Sequence, residues 1–94
     1  MKKIRSLDSI INQIIADKSL GDAFLFSRIL EIWKEKFSDL FKDNIMPISY
    51  QNRTLLLRAS TSVWKKELSL LKEKIILELN KTMGSESIEK IKIC

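Results

Sequence analysis

The side chains here that could attack, transfer or coordinate are few, and the first candidates are three consecutive hydroxyls, Ser60, Thr61 and Ser62. A hydroxyl nucleophile needs a base to take its proton, ordinarily a histidine oriented by a third group. The 94 residues contain no histidine, so these hydroxyls are expected instead to satisfy the first free amides of a helix that follows them. The one cysteine, Cys94, is the last residue; no internal bridge can form, and a reduced, intracellular chain is expected. The usual zinc, haem and iron–sulfur ligand sets are therefore missing, and two glycines cannot supply a phosphate-cradling loop. Asp and Glu are scattered among lysines, as on solvated helix faces rather than in a paired acid–base site. We expect no enzyme, no cofactor and no small-molecule substrate.

What remains is binding chemistry. Residues 1–47 carry eight basic and seven acidic side chains and residues 48–94 carry nine and five, so the net charge of +5 divides as +1 and +4. A basic second half suits a polyanion or an acidic protein surface. Four cations there, Arg53, Arg58, Lys90 and Lys92, are candidates for contact with nucleic acid. A second set, Lys65, Lys66, Leu70 and Leu77, is a candidate for contact with a protein partner.

These residues need elements to position them. Apolar residues at Ile4, Leu7, Ile11 and Ile14 predict a first amphipathic helix from Lys3 to about Ala16. Leu20, Gly21 and Asp22 read as a turn, with Asp22 capping a second helix from about Ala23 to Leu40. That helix carries the stripe Phe26, Ile29, Leu30, Trp33, Phe37, Leu40 and Phe41, which we read as core. Asn44 to Tyr50 alternates Met46, Ile48 and Tyr50 on one side of a strand, and Pro47 assigns it to an edge or a bulge. Gln51, Asn52 and Arg53 make the turn to a second strand, Thr54 to Ala59.

A long helix from Val63 to about Met83 should end at Gly84, and Ile88 to Ile93 alternates again as a third strand. Strict alternation puts Arg58 outward with Leu56, and Lys90 and Lys92 on the same side of the last strand. If those strands are neighbours, one sheet face is basic. The long helix has two stripes: Trp64, Leu68, Leu71, Ile75 and Leu79, and nearly opposite them Val63, Leu70 and Leu77. The second is expected to be covered by the first helix, by a partner protein or by a second copy. No apolar run approaches the ~18 residues of a membrane span, and Arg5, Asp8, Asn12 and Gln13 interrupt any signal-peptide core. We expect one cytoplasmic α+β domain over 1–94, ordered helix-helix-strand-strand-helix-strand, with helices on one face of a small three-stranded sheet, monomeric or weakly dimeric.

From Trp33 to Ile93 the chain resembles the DciA family. The resemblance rests on a helix tryptophan, the strand Ile45-Met46-Pro47-Ile48, a polar turn and Thr54-Leu55-Leu56-Leu57-Arg58-Ala59. Its most specific part is Ser60-Thr61-Ser62-Val63-Trp64-Lys65-Lys66-Glu67-Leu68, similar to the family's small-hydroxyl, tryptophan, Glu/Gln-Leu signature. Leu79-Asn80, Gly84 and the closing strand match its end. The resemblance implies a K-homology-like fold and a role in loading or operating the DnaB-type replicative helicase during replication initiation. It also implies binding to that helicase and, in many members, to single-stranded DNA. The chain departs from the pattern in that Lys34 to Phe41 has no glycine and there is no GxxG loop, and we expect it to lack the family's long basic tail after the last strand.

Overall fold

The computed structural model describes residues 18–94. The predicted helix from Lys3 to Ala16, and with it the idea that this helix covers the second stripe, lies outside the described residues. Among the described residues two helices precede the sheet, α1 (Lys18–Lys36) and α2 (Ser38–Phe41). They are followed by β1 (Ile45–Gln51), β2 (Thr54–Ala59), α3 (Ser62–Met83) and β3 (Lys90–Ile93). The fold is α+β in the expected order helix-helix-strand-strand-helix-strand.

The predicted second helix is corrected at both ends. Leu20, Gly21 and Asp22 lie inside α1 rather than in a turn, and Gly21 is buried. Asp22, inside α1, is not the N-cap of that helix; its Oδ2 accepts from the Asn52 amide at 3.3 Å, tying α1 to the β1–β2 turn. Gly21 is helical and buried there despite the ~1 kcal/mol that glycine costs in a helix interior. The predicted single helix to Leu40 is interrupted at Phe37, whose φ of −118° departs from the helical value although its amide still donates to the Trp33 carbonyl, before α2 resumes. Leu30 and Leu40 are exposed rather than core.

Phe37 and Phe41 nonetheless stay in one aromatic cluster with Trp33 and Trp64. Ring centroids lie 4.7 Å apart for Trp33 and Phe37 and 5.7 Å for both Trp33–Phe41 and Phe37–Phe41. Trp64, partly buried at the start of α3, meets Phe41 edge-on at 6.2 Å, the core role expected of it. Lys42 closes α2 with φ 52°, the backbone position for which a glycine would ordinarily be used.

The sheet order is β1-β2-β3, with β1 antiparallel and β3 parallel to the central β2. Pro47 sits on an edge strand, as its missing amide requires. A register shift between Pro47 and Ser49 corrects the predicted alternation of β1: Ile45 and Tyr50 point inward, while Met46 and Ile48 are exposed. The extra residue in the bulge changes the phase of the strand. On β2 the alternation holds throughout, with Leu55, Leu57 and Ala59 buried and Arg58 exposed. Leu55 and Leu57 are fully buried, which contributes about 1.5–3 kcal/mol each.

α3 returns the chain so that β3 can pair in parallel. Thr61 is its N-cap, Oγ1 accepting from the Trp64 amide at 3.2 Å. Gly84 is its C-cap at φ 75°, and its amide donates to the Asn80 carbonyl at 2.9 Å. Leu68, Ile75 and Leu79 face the core with Ile88 and Ile91.

Candidate functional site

The outer face of the sheet, opposite the packed helices, follows from the strand registers. Arg58 is paired with Met46, Leu56 with Ser49 and Lys92, and Thr54 with Gln51 and Lys90. Because side chains alternate, these eight residues share the face turned away from Leu55, Leu57 and Ile91. Three are cations and none is acidic. Lys90 and Lys92, two residues apart, are separated by roughly 6.6 Å along their strand. Arg58, Lys90 and Lys92 are all exposed, and none of them forms an ion pair among the described residues. A shallow concavity of about 240 Å³ runs over this face, lined by Ser49, Gln51, Asn52, Thr54, Leu56 and Lys92.

Arg53 is not on that face. It occupies the β1–β2 turn, where Asn52 and Arg53 take φ 51° and 62°. Its guanidinium donates to the Glu86 carbonyl and lies 3.8 Å from the Glu89 carboxylate. Its own carbonyl accepts from the amides of Glu89 and Lys90. The structure thus separates Arg53 from the three cations with which it was grouped and uses it to hold the approach to β3.

Two further residues brace the same end, and sequence reasoning did not single them out for this. The Tyr50 hydroxyl donates to the Ser87 carbonyl. Burial and the nearby Asp22 carboxylate push the Tyr50 phenol above its ordinary pKa, with Arg53 partly opposing them. Asn80, in the last turn of α3, donates from Nδ2 to the Ile88 carbonyl and accepts at Oδ1 from the Ile88 amide, both at 2.9 Å. A polar residue four before a C-capping glycine was the available signal. A concavity of about 610 Å³ lies beside the turn, bordered by Asp22, Phe26, Tyr50 and Asn52 among others.

The protein-contact candidates fall on α3. Lys65 and Lys66 are exposed near its start, and Leu70 and Leu77 project from its outer side with Val63. The structure brings Lys66, Leu70 and Leu77 to the side of the helix opposite Leu68, Ile75 and Leu79. Lys65 lies away from that strip by the helical repeat. Among the described residues, no group of three or more His, Cys, Asp or Glu could hold a metal ion, and no helix is long and apolar enough to cross a membrane.

The family model described as Dna[CI] antecedent, DciA matches residues 6–93, nearly the whole chain. The chain belongs to the DciA family. The match extends the resemblance, carried by Trp33 to Ile93, into the amino-terminal segment. Membership associates this DciA domain with loading of the DnaB-type helicase in DNA replication. No curated protein and no solved structure matches the chain.

Proposed function

We propose that this DciA domain is a non-enzymatic, cytoplasmic adaptor that binds the DnaB-type replicative helicase directly, helps to load or operate it, and contacts single-stranded DNA through its outer sheet face. The observation that carries the helicase reading is the family match over residues 6–93. The DNA reading is supported by a sheet face bearing Arg58, Lys90 and Lys92 and no carboxylate. Cations spaced along strands can follow a phosphate backbone without reading bases. Leu56 and Met46 add apolar surface between them, but no aromatic ring lies among the eight face residues for bases to stack upon. The contact is therefore electrostatic and sequence-tolerant. Arg53, engaged with Glu86 and Glu89, positions β3 and does not itself grip DNA.

Two experiments test the two halves. Capture of the helicase by the purified chain after nuclease treatment tests the adaptor reading. Titration of single-stranded DNA at several salt concentrations tests the face. The logarithm of affinity should fall with the logarithm of salt by about 0.7 per phosphate neutralised, giving a slope near −2 if the three cations each neutralise one. Replacing Arg58, Lys90 and Lys92 with alanine should remove most of that slope; a triple variant with an unchanged slope would show that DNA is bound elsewhere or not at all.

A further inference from the structure

The outer side of α3 carries an apolar strip that the described residues leave open: Val63, Leu70 and Leu77 are 71%, 72% and 71% exposed. Seven-residue spacing aligns them over about 21 Å of helix at ~1.5 Å per residue. The strip is flanked by four charges. At about 100° per residue, Lys66 and Glu73 lie roughly 40° and 60° to one side of Leu70, and Lys74 and Glu67 lie roughly 40° and 60° to the other. None of the four takes part in an ion pair among the described residues. Large apolar side chains in a row, rimmed by unpaired charges, are the pattern of a contact surface rather than of scattered surface leucines.

The charge order says what fits. Consider two copies of α3 laid antiparallel about a two-fold axis at Leu70. Val63 then meets Leu77 of the other copy, Leu70 meets Leu70, and each flank faces the same flank of its mate. Lys66 lies four residues before the axis and Glu73 three after it, so they come level within one residue's rise, about 1.5 Å. Glu67 and Lys74 do the same on the other flank. The arrangement is self-complementary: four Lys–Glu pairs form around a three-layer apolar seam, and no like charges oppose one another within it. Antiparallel axes also bring the opposite ends of the two helix dipoles together.

The geometry points to this face of α3 as a self-association seam whose occupant is a second copy of the chain, paired antiparallel about Leu70. A seam one helix wide lies at the small end of the interface range, so the dimer is weak and concentration-dependent. The inference goes beyond the proposed function and does not depend on it. It would present two basic sheet faces in one particle.

Analytical ultracentrifugation of the full chain over a range of concentrations tests it, with circular dichroism to check folding. The wild type should show a reversible monomer–dimer equilibrium. Leu70→Glu, at an exposed position, should be a folded monomer. Lys66→Glu and Glu73→Lys should each weaken dimerisation roughly tenfold, because two attractive pairs become repulsive. The double variant Lys66→Glu/Glu73→Lys should restore it. In a parallel pairing Lys66 would instead face Glu67, and Glu73 would face Lys74, so the double swap would be weaker than either single change. That result would overturn the proposal, as would a wild type monomeric at every concentration or a dimer indifferent to Leu70→Glu.

Discussion

Tyr50 and its neighbours show how single residues hold the end of the sheet. The ring is buried, its hydroxyl donates to the Ser87 carbonyl, and the Asp22 carboxylate nearby opposes ionisation. Because its folded pKa is raised above the ordinary value near 10, the folded state holds this proton more tightly than the unfolded one. The stabilisation is therefore complete below pH ~10 and is lost as pH rises through the folded pKa. Urea denaturation of the wild type and Tyr50→Phe should show two differences. Near neutral pH the variant should be less stable by about 1–2 kcal/mol, since the Ser87 carbonyl loses a partner. Above pH ~10 the gap should narrow as only the wild type loses this term. A gap that stays constant or widens would contradict this role for the phenol.

At the scale of elements, the critical join is between α3 and β3. β3 has four residues, too few to set its own register, and both polar groups of the Asn80 side chain are bonded to the backbone of Ile88 just before it. Asn80→Ala should leave the Ile88 amide and carbonyl without those partners and cost about 2–3 kcal/mol. The loss would be read by thermal or urea denaturation, and a change below about 0.5 kcal/mol, ordinary for surface positions, would show that the strand is fixed by other contacts.

The elements themselves were largely legible. β2 needed only the parity of Leu55, Leu57 and Ala59, and α3 was bounded by Thr61 and Gly84, residues whose chemistry suits caps. The errors have local causes. Periodicity cannot show a one-residue insertion, so the bulge after Pro47 hid the true inward side of β1. Gly21 and Asp22 have turn chemistry but lie within a helix, and the Asp22 carboxylate is used across the fold at Asn52.

For the whole molecule, the arrangement separates two surfaces. The helices pack on one side of the sheet, leaving the basic face on the other, while the apolar strip of α3 points away from the core. Arg58, Lys90 and Lys92 could be placed together from strand alternation alone once β2 and β3 were taken as neighbours. Arg53 could not, because its role depends on the turn meeting the segment before β3, a contact between residues more than thirty positions apart. The cations are directed outward on the sheet and the apolar side chains outward on α3, so the two proposed contacts would use separate surfaces.

That a protein partner is the primary one is tested most directly by immobilising the purified chain and measuring binding of the DnaB-type helicase after nuclease treatment, at low and at moderate salt. The expected result is saturable helicase binding that survives both the nuclease and the rise in salt. Failure to bind the helicase, or recovery of nucleic acid alone and its loss as salt increases, would contradict the adaptor role.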